Sequence, residues 1–299
     1  MLAPIIVFAY LRLDTFKRVI EALQDNDLAK QSNLYIYCDG VKSEKDKIIQ
    51  APLLKFIKSI TGFKTITIKI SPINKGLDPS IIAGVSEVIN KYGKAIILED
   101  DIVVTTNFLS YMNHALDFFE KDTRIMSISG FGLKVKKPKY YNDDVYMFGR
   151  STSWGWATWK NRWNNIDWDI KDWKEFSKNR KAIKKFKQRG GSDMFKMLKT
   201  CLAGGGMWDI RFCYNMFKTD TYSIIPFNSL VENIGFNDLG THCKSVTYNR
   251  FKYTLDDGNK TLFSMSEDIQ PNATIINSRL KYQSLKYRIY SKIRNILHL

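Results

Sequence analysis

Three consecutive acids, Glu99, Asp100 and Asp101, close the apolar run Ala95-Ile-Ile-Leu98. Three carboxylates held together repel one another unless a cation joins them. Hard oxygen donors select Mg2+ or Mn2+, which keep several waters and complete their shells with substrate phosphate oxygens. The run therefore predicts a divalent cation bridging to a diphosphate; the plainer reading of the same residues is a solvated acidic turn. Trp154 and Trp156, in Ser153-Trp-Gly-Trp-Ala-Thr-Trp159, have the ring area to wall a sugar, and they equally suit a core.

The elements around the acids decide between these readings. Short apolar runs at 4–10, 34–38, 65–70, 95–98 and 125–129 read as strands. Helical spacing lies between them: Phe16, Val19, Ile20 and Leu23; Ile81, Ile82, Val85, Val88 and Ile89; Phe108, Leu109, Met112, Leu116 and Phe119. Uninterrupted apolar strands alternating with helices predict an α/β fold with a doubly wound, mostly parallel sheet. Ligands of such sheets bind beyond the carboxyl ends of the strands, which is where the acids fall. Beyond 140 the pattern changes. Strands are expected at 145–148 and 222–225, and Trp159 and Trp163 sit at helical spacing. Residues 171–189 carry nine basic side chains, and a Gly204-Gly-Gly206 break precedes Met207-Trp-Asp-Ile-Arg211.

Four ordered motifs now stand together: residues 4–14 with Arg12, the Glu99-Asp-Asp101 triplet, Ser153–Trp159, and Asn228-Ser-Leu-Val-Glu-Asn-Ile-Gly-Phe236 followed by Gly240-Thr-His242. Across residues 4–245 the chain resembles GT-A glycosyltransferases. It is most similar to the N-acetylglucosaminyltransferase I-like group and to bacterial transferases that build surface polysaccharides. The resemblance implies a GT-A fold and transfer from a nucleotide-sugar, a UDP-sugar being favoured. The acceptor would be a glycan or lipid-linked hydroxyl, the transfer inverting, and the context bacterial polysaccharide or lipopolysaccharide assembly. It assigns the metal to Asp101, and the ribose and the metal's waters to Glu99 and Asp100. Arg12 would meet the nucleotide, as a guanidinium suits phosphate or uracil oxygens. Asp39 would accept the uracil N3–H, the alternative being a turn-forming Asp-Gly. Asp209 would be the catalytic base, its pKa raised beside Trp208; the alternative is a helix N-cap. Ser153, Trp154, Gly155, Trp156 and Asn233 would shape the donor and acceptor pocket, and His242 would reach the metal or phosphate. Asp78-Pro79 stands where relatives carry Gly-Lys, and Ile210 where they carry a second aspartate.

The chain of 299 residues divides on this reading into a nucleotide-sugar-binding half, 1–135, an acceptor-side α+β half of the same unit, 136–250, and a C-terminal extension, 251–299. The formal charge of +16 implies an anionic partner. Residues 278–299 hold six basic residues and no acid, with Leu285, Ile289, Ile293, Ile296 and Leu297 on one helical face. Such a basic amphipathic helix lies on an anionic membrane or docks its stripe on the domain. The four cysteines form no CxxC pair, which fits a reducing compartment. No apolar run is long enough to span a bilayer, and the first reads as a strand rather than a signal. The expected place is therefore cytoplasmic, peripheral on the inner face of the membrane. A nucleotidyltransferase would want a Gly-rich basic loop where Leu11-Arg-Leu-Asp14 stands. A nucleic-acid-binding protein would leave the acids unexplained, so no nucleic acid is expected.

Overall fold

The computed structural model describes residues 1–235 and 251–297. The first half runs β1 (Ile5–Ala9), α1 (Leu13–Gln24), β2 (Asn33–Cys38), α2 (Glu44–Ser59), β3 (Thr65–Ile70), α3 (Leu77–Tyr92), β4 (Lys94–Glu99), β5 (Ile102–Val104), α4 (Phe108–Phe118) and β6 (Ile125–Ser129). The second half runs β7 (Val145–Phe148), β8 (Trp156–Trp159), α5 (Lys160–Trp163), α6 (Trp173–Phe176), α7 (Arg180–Gly190), α8 (Met194–Thr200), α9 (Trp208–Lys218), β9 (Tyr222–Pro226) and β10 (Val231–Asn233). Two helices follow, α10 (Ala273–Gln283) and α11 (Leu285–Ile296).

Eight strands form one sheet in the order β3-β2-β1-β4-β8-β6-β9-β7. β3, β2, β1 and β4 are parallel, as are β6 and β9; β8 and β7 run against their neighbours. Residues of β1 alternate between the two faces, as the two-residue period requires. Ile5, Val7 and Ala9 pack with Phe16, Val19 and Ile20 of α1, while Ile6 and Phe8 pack with Ile81, Val85 and Ile89 of α3. The sheet is thus covered on both sides, which is why its strands read as continuous apolar runs.

The aromatic stretch differs from the helical spacing expected for it. Trp156–Trp159 is a strand, inserted antiparallel between β4 and β6. Trp159 and Trp163 are both buried, but in core clusters on different faces, Trp159 as the last residue of a strand and Trp163 on the short α5. Trp156 is 1% exposed, and its ring stacks on Trp208 at 4.9 Å and 29°. It belongs to the core and not to a sugar-facing wall. Gly155 turns the chain into β8 with φ +58, where a Cβ would lie 2.8 Å from Val231 Cγ1. It makes a tight turn and no cavity wall.

A small antiparallel pair, β10 with β5, sits at the carboxyl edge of the sheet and opposes Asn233 to Ile102. The basic segment forms α6 and α7 over a separate cluster of Phe176, Phe186, Met194 and Tyr214. α10 buries Ile275 and Arg279 against Tyr146 and Phe148 of the edge strand β7. α11 carries its apolar stripe outward. No helix among the described residues is long and apolar enough to cross a membrane.

The Trp156–Trp208 stack ties β8 to the start of α9. Replacing Trp156 by Ala should lower the unfolding free energy by about 3–5 kcal/mol in urea titrations, the range for deleting a large buried aromatic.

Candidate active site

A cavity of about 1080 Å³ opens beyond the carboxyl ends of β1, β2, β3 and β4. Arg12, Glu99, Asp100, Asp101, Asn233 and Gly235 line it, with Ser153, Trp154, Trp208 and Asp209 from the second half. Ile68, Ile70, Pro72, Lys42, Lys69 and Lys75 line it too, beside the acids Asp39 and Glu87, and Lys69 Nζ pairs with Glu87 Oε1 at 3.0 Å.

Glu99 ends β4 and Asp100 and Asp101 form the turn to β5, so a strand with a buried interior delivers them to the sheet edge. Arg12, at the start of α1, donates from Nη1 to Asp101 Oδ2 at 2.9 Å, and its Nη2 meets Asp100 Oδ1. One guanidinium thus spans two carboxylates, Asp100 and Asp101. Burial raises the Glu99 pKa well above its ordinary value, and Asp101, Asp100 and Asp209 raise it further against Arg12. Burial also lifts Asp100 from 3.8 to about 6, with Arg12 opposing and Asp101 adding. Asp100, Asp101 and Asp209 thus lie within electrostatic reach of Glu99. Among the described residues no three His, Cys, Asp or Glu side chains form a ready metal cage. Mg2+ and Mn2+ need no such cage, since one or two carboxylates with substrate phosphates suffice. The donor chemistry of the clustered carboxylates fits such an ion.

Asp209 stands in the first turn of α9, where Met207 occupies the cap position. It is not the N-cap. Its charge reaches Glu99, Arg150 and Cys213. Asp39 ends β2 and uses both oxygens on a neighbouring loop. Oδ1 accepts from Gly40 N at 2.9 Å and Lys75 N at 3.0 Å, and Oδ2 from Gly76 N at 2.9 Å. The geometry gives it a loop-holding task, and it lines the cavity as well. Ser153 and Trp154 line the cavity, with the Trp154 ring held 4.4 Å from Phe131. Asn233 also lines it and accepts from Gly235 N at 2.8 Å. Gly155 and Trp156 do not line it, and His242 lies outside the described residues.

Three further residues shape the site. A Cβ on Gly235 would fall 2.0 Å from Asp101 Oδ2 and 3.0 Å from Arg12 Nη1, so only glycine admits this carboxylate. Ile234 N donates to Asp101 O at 2.9 Å, which pins the approach. Gln50, buried on α2, donates to Tyr10 O at 2.8 Å and Asp39 O at 2.9 Å and braces the ends of β1 and β2. Trp208, stacked on Trp156, fixes the helix turn that carries Asp209. Gly235 had a signal, lying in the Asn228–Phe236 motif; a glutamine in a surface-like helix had none.

No protein-family model and no curated protein matches the chain. Among solved structures it is similar to TarS from S. aureus, at 12% identity and TM-score 0.33, over 51% of this chain and 25% of that one. It is similar to the mannosyltransferase PcManGT from Pyrobaculum calidifontis, in complex with GDP-Man and Mn2+, at 8% identity and TM-score 0.36, over 54% of this chain and 46% of that one. It is also similar to the galactosyltransferase LgtC, in complex with donor and acceptor sugar analogs, at 13% identity and TM-score 0.36, over 73% and 72%. The chain thus spans a quarter of the first and under half of the second. Likeness at these scores carries no weight in the reading of the site.

A raised carboxyl pKa is a cost to folding once the group ionises. The contribution of Glu99 and Asp100 is full at pH below their unfolded values and is lost as pH rises through the folded ones, about 6 for Asp100. In the ligand-free chain, Glu99→Gln should therefore raise the melting temperature at pH 7. The gain should shrink as the pH is lowered and wild-type Glu99 takes up its proton, a trend that scanning calorimetry across pH would read.

Proposed function

We propose that the chain is a metal-dependent glycosyltransferase of the GT-A type. It moves a sugar from a nucleotide-sugar donor, a UDP-sugar being favoured, to a glycan or lipid-linked hydroxyl. The observation that carries this reading is the cluster of Glu99, Asp100 and Asp101, sharing one cavity with Asp209 at the carboxyl edge of the sheet. The apolar lining of Ile68, Ile70 and Pro72 suits a nucleoside, and the carboxylate cluster suits a cation-bound diphosphate.

In this reading Asp101 and Asp100 would hold Mn2+ or Mg2+, which when bound supplies positive charge to the departing diphosphate. Arg12 already spans both carboxylates and is placed to bind a diphosphate oxygen from the same position. Asp209 takes the proton of the acceptor hydroxyl as that oxygen attacks the anomeric carbon; a base opposite the leaving group produces inversion. Trp208 and Trp154 exclude water on the acceptor side. Asp39 serves by holding the 74–76 loop at the rim. His242 remains a candidate for the metal or phosphate. We place the enzyme on the cytoplasmic side, at the inner face of a bacterial membrane, in polysaccharide or lipopolysaccharide assembly.

Thermal-shift measurements test the site directly. UDP should raise the melting temperature when Mn2+ is present and leave it unchanged without metal. Asp101→Ala should abolish the shift, and Gly235→Ala should do the same by expelling the Asp101 carboxylate. Undiminished metal-free UDP binding by Asp101→Ala would overturn the reading. In a donor panel of UDP-, GDP- and dTDP-sugars, Asp209→Asn should bind the preferred donor normally while kcat falls by about 10²-fold or more, the usual loss for a general base.

A further inference from the structure

The apolar stripe of α11 is open to solvent. Leu285, Ile289, Ile293, Ile296 and Leu297 are 50–65% exposed, and Ser291 alone is buried on this helix. Arg288 and Lys292 border the stripe on one side, and their long stems can lie along it while the charges stay in water. The start of α11 is fixed to the body. α10 is seated on β7, Ser192 Oγ donates to Gln283 O at 2.7 Å, and the Ser284 hydroxyl then caps α11 by accepting from Tyr287 N at 3.2 Å.

The same junction forms one wall of a groove of about 590 Å³, lined by Leu280 and Ser284 on one side and by Arg180, Lys184 and Lys187 of α7 on the other. α7 buries Phe186 and turns Arg189 inward to Asp220, which leaves Arg180, Lys181, Lys184, Lys185 and Lys187 facing solvent. None of these five, nor Lys286, Arg288 or Lys292, makes an ion pair among the described residues. The basic face of α7 therefore meets the junction of α10 and α11 at one groove, and the uncovered aliphatic ridge of α11 starts from that junction. The groove shares no lining residue with the active-site cavity.

We propose that α11 and the outer face of α7 together dock the protein on an anionic lipid bilayer. The aliphatic ridge enters the acyl boundary with α11 parallel to the membrane plane, and lipid headgroup phosphates sit in the groove between Lys184, Lys187 and Ser284. Unpaired cations of one sign around an aliphatic stripe complement a surface that is anionic outside and apolar beneath. A nucleic acid would satisfy the cations and leave the ridge in water.

Flotation with vesicles of phosphatidylcholine, and of phosphatidylcholine mixed with phosphatidylglycerol, tests this on the full chain. Binding should require the anionic lipid and weaken with salt. Lys184→Glu with Lys187→Glu should reduce it by about tenfold or more. Ile289→Asn with Ile293→Asn should abolish it without lowering the melting temperature, because both side chains are already solvated. Three results would overturn the proposal: binding that survives the isoleucine changes, a melting temperature that falls with them, or a wild-type dimer that they render monomeric without any vesicle binding. Vesicle binding is read without donor or metal, so its outcome is separate from that of the glycosyltransferase reading.

Discussion

The structure is organised around a cluster of carboxylates at one sheet edge. β4 carries three carboxylates to the sheet edge, α9 brings a fourth within electrostatic reach, and Arg12 supplies one positive charge between two of them. An apolar strand interior cannot disperse that charge, and burial makes each ionised carboxyl more costly. The elements around it therefore have a common task, which is to hold like charges together against their repulsion.

They do this with backbone and packing more than with further ions. Gly235 lets a main chain approach Asp101 where any side chain would collide, and Ile234 N fixes the turn from the opposite strand. Gln50 links the ends of β1 and β2 from beneath, and Asp39 draws the 74–76 loop onto the same rim through the amides of Lys75 and Gly76. On the far side, Trp156, Trp163, Trp208 and Phe212 make one aromatic block that joins β8 to α9. Asp209 is thereby carried by a helix turn whose neighbour is a core ring and not by a free loop. Placing reactive groups on rigid elements in this way limits how far they relax apart when the cavity is empty.

Much of the first half was legible from residue pattern alone, for a physical reason: strands covered on both faces must be apolar throughout, and the helices between them must show one apolar face. The strands expected at 65–70, 125–129 and 145–148 coincide with β3, β6 and β7, and the acids fall at the strand end as expected. β8 was not legible, because Trp159 and Trp163 happen to stand four apart and Trp is at home in either structure. β5 and β10 have three residues each, too short for a period to show. Within the site, charged residues of the first half announced themselves by position. Asp39 and Trp156 did not reveal their tasks, since hydrogen-bond partners thirty-six residues away and ring stacking across elements are properties of the folded chain. Gln50 carries no local mark of its burial for the same reason.

Residues 251–283 cross the molecule as a strap. Lys252 O meets Lys134 N, Thr254 O meets Ser229 N, Asp256 and Lys260 receive Asn107, Ser264 N reaches Asp144, and Phe263 and Ile269 complete the main core. Asn107, Lys134, Asp144 and Ser229, which it meets, all precede it in the sequence. During synthesis the sheet therefore emerges before the strap, and the edge at β7 stays bare until α10 arrives. The interval before the strap docks is when a chaperone would have most to shield.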